Sequence, residues 1–392
     1  MKKAFILLFL AFAAFALNAQ TLKTLTWAGQ TREYLEYVPS TYSEETPAPV
    51  LFMLHGLGDQ ATNFFNATNI GTIAERKGWI VVCPQALPFD IEIPYVGTYP
   101  FGSSWGAGIT VTVNFQLYGI PLNFDVTVNP DADDSGFLMA ALQTLGEEYN
   151  LEQDSVFFAG FSLGACMAHR MAIEHGERIN AIAAVSGVVG NDMVEVTPTA
   201  NVNVLEVFGT NDEMITYDSA IISLQGYGNP SIGLPAEQSL EFWRAFNQCD
   251  TDPVVEEYPD TQNDGLTFEM YGYMNGTNDS HVSFLKVNNG LHRWYAGNSY
   301  DIDYTEEIIR FFTGTLDVTN VTEQSEKALS VYPNPATNFI LVDMQGEVSI
   351  YDLCGKLVLQ GNGSSRIDVS SLPEGMYFVK TKSGCNKLVI NR

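Results

Sequence analysis

The sequence predicts an α/β protein in which helices flank a mostly parallel central sheet, with an inserted β-hairpin and a small C-terminal β-sandwich. Three observations lead to this prediction. Short apolar runs typical of buried strands recur between helical patterns in residues 20–314. One strand-to-helix junction among them carries the pattern Gly-x-Ser-x-Gly. Residues 329–392 change to short alternating segments broken by turns, which is typical of a small antiparallel sandwich.

The junction Gly160-Phe161-Ser162-Leu163-Gly164 is the most informative stretch. An apolar run precedes it and a helical pattern follows, which is the context in which Gly-x-Ser-x-Gly forms a nucleophile elbow. The chain turns so sharply at the serine that a side chain at position 160 or 164 would clash with a neighbouring helix or strand. Ser162 would then stand exposed at a helix N-terminus, where free N–H groups favour a developing anion. The alternative is a glycine-rich turn with an idle serine.

A reactive serine needs a base, and the chain offers five histidines: His55, His169, His175, His281 and His292. His169 and His175 fall on the helix that leaves the elbow, and His55 precedes the serine. In the architecture that carries such an elbow the order is serine, acid, histidine. His281 opens an apolar run and is interpreted as a strand-end residue. His292 follows that run across Asn288-Asn289-Gly290, where a loop should start, and is the predicted base.

The acid should follow a strand between the serine and the base. Residues 203–208 are predicted as a buried strand, and the turn that follows it ends at Asp212. Asp212 is therefore the predicted acid, which would hold the imidazole in its useful tautomer. The nearest rivals are Glu213 and Asp218, and Asp192 is a weaker one.

An oxyanion hole needs backbone N–H groups close to the serine. One should be that of Leu163, next to the nucleophile. The other should come from the turn after an earlier strand, and the apolar run 50–54 followed by His55-Gly56-Leu57-Gly58 fits that place. We therefore predict Leu57 as the second donor, with His55 as a structural residue of the turn.

Residues 109–115 and 120–126 alternate in hydrophobicity around Tyr118-Gly119, which predicts a β-hairpin inserted after the fourth core strand. Because it leaves the carboxyl end of the sheet, the hairpin should overhang the mouth of the site as a substrate-binding flap. An oligomer or packing contact is an equally good interpretation. The aromatic residues considered for substrate contact are Trp105, Phe101 and Tyr99 near the hairpin, and Trp294 just after the predicted base; the two tryptophans are the predicted substrate-binding residues.

These motifs together resemble the polyhydroxybutyrate depolymerase-like and feruloyl esterase-like branch of the α/β-hydrolases. The resemblance covers residues 21 to about 314 and rests on five stretches: Leu54-His55-Gly56-Leu57-Gly58, Asp133-Asp134-Ser135-Gly136-Phe137, Gly160-Phe161-Ser162-Leu163-Gly164, Phe208-Gly209-Thr210-Asn211-Asp212 and Gly290-Leu291-His292-Arg293-Trp294. It implies the α/β-hydrolase fold and a triad of Ser162, Asp212 and His292, in agreement with the elimination above. It also implies a secreted esterase that cleaves polyesters, or phenolic and acetyl esters of the plant cell wall, without a cofactor.

Two other function classes fit the same motifs. A serine peptidase could use the same triad, although no second domain that would gate peptides is recognisable. Cleavage of an amide in place of an ester would identify it. A non-catalytic surface protein could keep the fold for binding alone, and its serine would not react with a serine-directed phosphonate.

Composition argues against several partners. The formal net charge of −27 disfavours nucleic acid and anionic membrane surfaces. Asp131, Asp133 and Asp134 look like a calcium cluster, but aspartates at the start of a helix more commonly cap its N–H groups. No His, Cys or Glu spacing suggests zinc. We therefore predict neither a metal nor another cofactor.

Five cysteines are too few for a disulfide scaffold. Cys354 and Cys385 could form a bridge near the C-terminus. The remaining three, Cys83, Cys166 and Cys249, are an odd number, so at least one free thiol is expected.

Residues 1–19 are predicted to be a signal peptide. Two lysines follow Met1, residues 4–17 form an apolar run too short to span a bilayer, and a plausible cleavage point follows Ala19. No other stretch approaches about 18 consecutive apolar residues, so no membrane span is expected in the mature chain.

Residues 329–392 carry strand patterns at 339–342, 348–351, 357–359, 376–380 and 387–390. Three stretches, Val331-Tyr332-Pro333-Asn334-Pro335-Ala336, Tyr351-Asp352-Leu353-Cys354-Gly355-Lys356 and Leu372-Pro373-Glu374-Gly375-Met376-Tyr377-Phe378, resemble the C-terminal sorting domain of the type IX secretion system of Bacteroidota. The resemblance implies that the type IX machinery exports the chain, via the periplasm, to the cell surface or the medium. A carbohydrate-binding or immunoglobulin-like module is the alternative. Residues 20–314 are then the catalytic domain and 315–328 a linker.

Overall fold

The computed structural model describes residues 20–118, 120–224, 228–314, 331–342, 347–352, 356–362, 366–381 and 384–391. The chain divides into two compact units, Met1–Val318 and Thr319–Arg392. The predicted signal peptide and linker lie outside the described residues, and so does the predicted Cys354–Cys385 bridge. No helix within the described ranges is long and apolar enough to cross a membrane.

The described part of the first unit contains strands and helices in alternation. Its strands are β1 Gln20–Trp27, β2 Gln30–Tyr37, β3 Ala48–Leu54, β4 Ile80–Pro84, β5 Pro88–Ile93, β6 Gly97–Ser103, β7 Thr110–Leu117, β8 Ile120–Thr127, β9 Leu151–Phe161, β10 Ala181–Val185, β11 Asn203–Gly209, β12 Val254–Glu257, β13 Thr267–Tyr273 and β14 Val282–Asn288. Its α-helices are α1 Ala61–Ala67, α2 Ile70–Lys77, α3 Asp134–Glu148, α4 Leu163–His175, α5 Ala236–Asn247 and α6 Tyr304–Phe312.

Ten of these strands form one sheet in the order β1-β2-β4-β3-β9-β10-β11-β14-β13-β12. The six central strands, from β4 to β14 in that order, are parallel. The outer strands pair antiparallel at both edges. Every residue of β4 and β10 is buried, as expected where helices cover both faces of a parallel sheet. The predicted α/β architecture, a mostly parallel central sheet flanked by helices, is confirmed.

Two hydrophobic cores lie on the two faces of this sheet. Successive residues of β3 alternate between them: Val50 and Phe52 belong to one core, Leu51 and Met53 to the other. Helices α3, α4 and α5 supply the first core, and α1, α2 and α6 the second. The strand ends that carry the candidate site are therefore fixed from both sides.

Two hairpins lie between β4 and α3. The predicted one is present as β7 and β8, with Leu117 paired to Ile120 across the turn. The other, β5 with β6, was not predicted. Its strands contain Pro88 and Pro100, and proline argues against a strand because it cannot donate to the ladder.

The start of α3 explains the aspartates at positions 131–134. Asp133 is the N-cap, and its carboxylate accepts from the Gly136 N–H at 3.0 Å, as predicted. Asp134 is instead buried and forms an ion pair with the equally buried Arg32 at 2.5 Å. Among the described residues no group of His, Cys, Asp and Glu could hold a metal ion.

The three cysteines of the first unit, Cys83, Cys166 and Cys249, are all free and buried. Burial raises the pKa of the Cys166 thiol to about 11 and also raises the pKa of the other two. The expectation of at least one free thiol is met three times over.

The described part of the second unit consists of short strands. These are β15 Val331–Tyr332, β16 Phe339–Val342, β17 Glu347–Tyr351, β18 Leu357–Asn362, β19 Ile367–Asp368, β20 Gly375–Thr381 and β21 Gly384–Ile390. They form two antiparallel sheets, β15-β16-β19 and β18-β17-β20-β21. Both sheets contribute to one core that includes Ile340, Val348, Val379 and Leu388. The small C-terminal β-structure predicted from the alternating pattern is confirmed.

Candidate active site

Ser162 lies between the end of β9 and the start of α4 in a sparsely populated backbone conformation, with φ 55° and ψ −121°. Its N–H donates to the Val185 carbonyl at 2.8 Å, which ties the turn to the end of β10. A Cβ at Gly160 would overlap the Gly164 carbonyl, and one at Gly164 would overlap the Leu54 carbonyl. The glycines on either side of the serine are therefore required by close backbone approach.

The structure brings the three residues of the predicted triad together. The Ser162 Oγ lies 2.9 Å from His292 Nε2, and His292 Nδ1 lies 2.8 Å from Asp212 Oδ2. A carboxylate only accepts, so Nδ1–H donates to Asp212 and Nε2 is free to accept from the serine hydroxyl. This arrangement can remove a proton from Ser162 and keep the resulting imidazolium in place.

Asp212 is itself held rigidly. It is buried at the turn after β11, and its Oδ1 accepts from the N–H groups of Met214 at 3.0 Å and Ile215 at 2.8 Å. The His292 ring packs against Phe161, with 4.9 Å between ring centroids. The acid and the base are thus oriented by contacts outside the triad, which reduces the entropy lost when a reacting geometry is reached.

Two of the rival acids lie elsewhere. Asp218 is exposed and does not line the cleft, and Asp192 accepts from the Thr110 hydroxyl at 2.8 Å, at the base of the β7–β8 hairpin. Glu213 lies at the site but does not contact the imidazole. Its Oε2 accepts from the main-chain N–H of His292 at 3.0 Å, and this bond lowers the pKa of its carboxyl.

The histidines excluded on sequence grounds are occupied in other ways. His55 is buried in the turn after β3, donating from Nδ1 to the Gly56 carbonyl at 2.7 Å and accepting at Nε2 from the Ala86 N–H at 3.2 Å. His281 precedes β14, and its ring packs on Phe311 at 4.9 Å. His175 contacts the Ser135 hydroxyl at 2.9 Å.

Leu57 and Leu163, the predicted oxyanion donors, both line the cleft next to Ser162. Leu163 is the first residue of α4, so its N–H has no acceptor within the helix. Neither amide donates to a backbone carbonyl in the part of the chain that the structure describes. Both are therefore available to an oxygen bound beside the serine.

The two tryptophans predicted to bind substrate do not line the cleft. Trp105 is fully buried; its Nε1–H donates to the His55 carbonyl at 2.8 Å and its ring packs on His55. Trp294 donates to the Thr305 hydroxyl at 3.0 Å and packs edge-on against Phe64. Trp105 belongs to the core on one face of the sheet, and the half-buried Trp294 packs against the core on the other face.

The cleft at the serine has a volume of about 510 Å³. One part of its wall is apolar and comes from β6, from the base of the β7–β8 hairpin and from positions 222, 224 and 232: Phe101, Ile109, Val128, Ile222, Leu224 and Ile232. Of the aromatic residues considered near the hairpin, Phe101 lines the cleft, whereas Tyr99 lies on the exposed surface outside it. The carboxylates of Asp59 and Glu213 are on the lining, and the described residues of the lining include no Lys or Arg. The cleft suits an uncharged, largely apolar group.

The sequence did not predict a buried polar cluster formed by residues of α4, β11 and α5. Glu206 Oε1 accepts from the Ser239 hydroxyl at 3.0 Å, and the Trp243 Nε1–H donates to His169 Nδ1 at 3.0 Å. Burial raises the pKa of Glu206 to about 8 and lowers the pKa of His169 to about 3, so both are neutral at pH 7. The sequence signal was the single Glu within the apolar run of β11.

Comparison with known proteins confirms the predicted α/β-hydrolase fold class. Residues 39–227 match the Phospholipase/Carboxylesterase family, and residues 330–391 match the Secretion system C-terminal sorting domain. NocK of Nocardia uniformis subsp. tsuyamanensis, named as an esterase, is 24% identical over 285 residues, or 71% of this chain and 74% of NocK. Feruloyl esterase D of Neurospora crassa is 25% identical over 171 residues, 43% of this chain and 50% of that protein.

A third relative is the bifunctional acetylxylan esterase/xylanase XynS20E of Neocallimastix patriciarum. It is 24% identical over 247 residues, which are 62% of this chain and 28% of that protein. The chain therefore spans about three quarters of the first relative and half or less of the other two. Among solved structures, an acetyl xylan esterase from Aspergillus awamori superposes with a TM-score of 0.46 at 13% identity, over 75% of this chain and 99% of that one.

Proposed function

We propose that this chain is an exported serine esterase whose catalytic residues are Ser162, His292 and Asp212. The proposal starts from an α/β-hydrolase of the carboxylesterase type that ends in a secretion sorting domain. The observation that carries the proposal is the pair of hydrogen bonds that joins these residues, at 2.9 Å and 2.8 Å, where the serine faces an apolar cleft. The strained backbone at Ser162 costs free energy of folding, and such strain is typical of active sites.

The reaction follows from the contacts. Ser162 Oγ attacks the ester carbonyl while His292 Nε2 takes its proton, and Asp212 stabilises the imidazolium through Nδ1–H. The N–H groups of Leu163 and Leu57 donate to the tetrahedral oxyanion. His292 then gives the proton to the leaving alcohol, and water repeats the cycle on the acyl-enzyme.

The proposed substrate is a neutral carboxylic ester attached to a polymer. The apolar wall of the cleft suits an acyl group without charge, and the relatives named above include a feruloyl esterase and an acetylxylan esterase. Phenolic or acetyl esters of a plant polysaccharide are the first choice, and a polyester is the second.

The proposed route of export begins with the signal peptide in residues 1–19, continues through the periplasm, and ends with transport by the type IX machinery, which reads residues 329–392. The sorting-domain match supports this destination at the cell surface or in the medium.

The test is hydrolysis of 4-nitrophenyl acetate, 4-nitrophenyl butyrate and methyl ferulate by the mature protein and by Ser162→Ala. We expect kcat/KM to fall roughly a thousandfold or more in the variant, since the nucleophile is lost and only binding and the oxyanion donors remain. A matching far-ultraviolet spectrum and thermal midpoint would show that its fold is intact.

Two results would contradict the proposal. Activity that survives Ser162→Ala would remove the elbow as the active site. An inactive mature protein that a serine-directed phosphonate fails to label would favour a binding protein, and faster cleavage of an amide than of the matched ester would favour a peptidase.

A further inference from the structure

Two consecutive acidic residues after β11 hold the same histidine in different ways. Asp212 contacts the ring at Nδ1, whereas Glu213 Oε2 accepts from the main-chain N–H of His292 at 3.0 Å. The ring contact sets the tautomer. The main-chain contact ties the loop that carries His292 to the turn after β11, next to a backbone bond from the Asn211 N–H to the Gly290 carbonyl at 2.9 Å. Glu213 is therefore one of the groups that hold the His292 loop beside Ser162, and its bond acts on the residue that carries the ring.

The same carboxylate forms part of the wall of the cleft. Glu213 lines it together with Ser162 and His292, and among the described lining residues Asp59 is the other carboxylate. The bond from the His292 amide keeps the pKa of Glu213 below its ordinary value, so the side chain is charged at neutral pH. Arg293 also interacts electrostatically with Glu213, but its guanidinium forms a hydrogen bond with Tyr300. Glu213 is exposed, so a substrate that enters the cleft meets its negative charge on the solvent-facing side of the apolar wall.

We propose that Glu213 is a positioning and specificity-determining residue of the esterase. Its carboxylate fixes the His292 loop through the main-chain N–H, and its charge makes the cleft select neutral esters over esters whose acyl part is anionic. This proposal rests on the proposed roles of Ser162 and His292. It assigns to one residue the preference for uncharged acyl groups, such as acetyl and aromatic acyl groups, that was proposed above.

The test uses two esters of similar size, 4-nitrophenyl heptanoate, which is neutral, and mono-4-nitrophenyl adipate, which is anionic and too long for its carboxylate to displace the phenol readily. Glu213→Gln keeps an oxygen that can accept from the His292 N–H but removes the charge. We expect its preference for the neutral ester to fall about fivefold. Raising the salt to about 0.5 M should bring the wild-type preference close to that of the variant, because salt screens the charge.

Glu213→Ala removes both the acceptor and the charge. We expect its kcat on the neutral ester to fall about tenfold with KM little changed, since the lost bond orients the base and does not bind substrate. Recovery of kcat in Glu213→Gln would show that the hydrogen bond, and not the charge, positions the loop. Glu257→Gln is the matched control, because it removes one exposed carboxylate on the edge strand β12, outside the cleft.

Each part of the proposal can fail separately. A neutral-to-anionic preference that is unchanged in Glu213→Gln, or that falls equally in Glu257→Gln, overturns the specificity role. Equal kcat values for Glu213→Ala and the wild type overturn the positioning role. Activity that survives Ser162→Ala overturns the proposed active site and the role of Glu213 with it. Activity that depends on Ser162 but is the same in both Glu213 variants as in the wild type overturns only the role of Glu213.

Discussion

Ser162 shows how much of a site can be inferred when its cause is local. The small residues at 160 and 164 have a steric reason that the strand–turn–helix context already contains, and the structure places backbone carbonyls where their side chains would be. The proposed acid and base each follow the end of a strand, so chain order was enough to choose Asp212 and His292. Their meeting within hydrogen-bond distance follows from the parallel sheet, whose carboxyl ends face one edge.

Other residues could not be placed from the sequence because their environment is set by distant parts of the chain. An aromatic residue near a site serves equally well as a cleft wall or as core, and the packing of Trp105 on His55 decides for core. Glu213 contacts the main-chain N–H of His292. Every residue except proline has such a group, so the residue type at position 292 does not reveal this contact. Side-chain patterns therefore predict the proposed triad better than what surrounds it.

Glu206 gives a residue-level prediction about stability. Its pKa is about 8 in the folded chain against an ordinary value of 4.5, because burial disfavours the charged form. Between these two values only the unfolded state gives up its proton, so stability should fall as the pH rises from 4.5 to 8, with the loss complete above 8. In Glu206→Gln the thermal midpoint should depend less on pH over this range. Thermal unfolding at a series of pH values measures the slope.

The neighbouring His169 acts in the opposite sense. Its pKa of about 3 lies below the ordinary 6.5, so its contribution to stability is lost as the pH falls from 6.5 towards 3. Glu206→Gln should therefore keep the fall in stability on the acidic side of the pH profile. The exposed Glu257→Gln serves as the control and should leave both limbs unchanged. Identical slopes for Glu206→Gln and the wild type between pH 4.5 and 8 would show that Glu206 is already ionised in the folded chain.

Among the elements, the two hairpins show the limits of periodicity. The β7–β8 hairpin was predicted because its hydrophobicity alternates on both sides of a two-residue turn. The β5–β6 hairpin interrupts that pattern with prolines and with a register shift between Phe89 and Asp90. Periodicity finds a strand that is regular along its length, whereas tertiary support can hold an irregular one.

The β7–β8 hairpin supports the cleft in part through a neighbouring loop. Its base contributes Ile109 and Val128 to the lining, and Asn114 lies against Gly228, close to the lining residue Leu224. Replacing residues 114–123 by Asn-Gly joins the paired residues Val113 and Phe124 and leaves the buried base in place. We expect hydrolysis of 4-nitrophenyl acetate to stay within about twofold and the kcat/KM ratio of methyl ferulate to acetate to change about fivefold, because a large acyl group needs the supported wall.

This variant needs a check on its fold, since Val111, Val113 and Val126 are buried. A thermal midpoint close to that of the wild type would serve. Equal losses on the small and the large ester would mean that the hairpin only supports the fold, and that the acyl preference is set elsewhere in the cleft.

For the whole molecule, the two units divide the work of hydrolysis and of export. The first unit has its own cores on both faces of the sheet, and the second has a separate core. A chain that ends at residue 328 should therefore keep its esterase activity but accumulate in the periplasm, because the sorting domain is missing. Activity and antibody detection in periplasmic, surface and culture fractions would measure this.

Full-length Ser162→Ala is the control for that experiment, since it should be exported normally without activity. Release of the truncated chain into the medium in the same proportion as the full chain would show that residues 329–392 are not the export signal.

The three buried thiols of the hydrolase unit can report its unfolding. Cys83, Cys166 and Cys249 are spread along the chain on three different elements or their ends, and the folded unit hides all of them from solvent. A maleimide reagent should react only when a segment opens, and identifying the modified cysteine would tell which segment opened first. Because none of the three is cross-linked, this unit should also fold in a reducing cytoplasm, which makes it simpler to produce than most exported proteins.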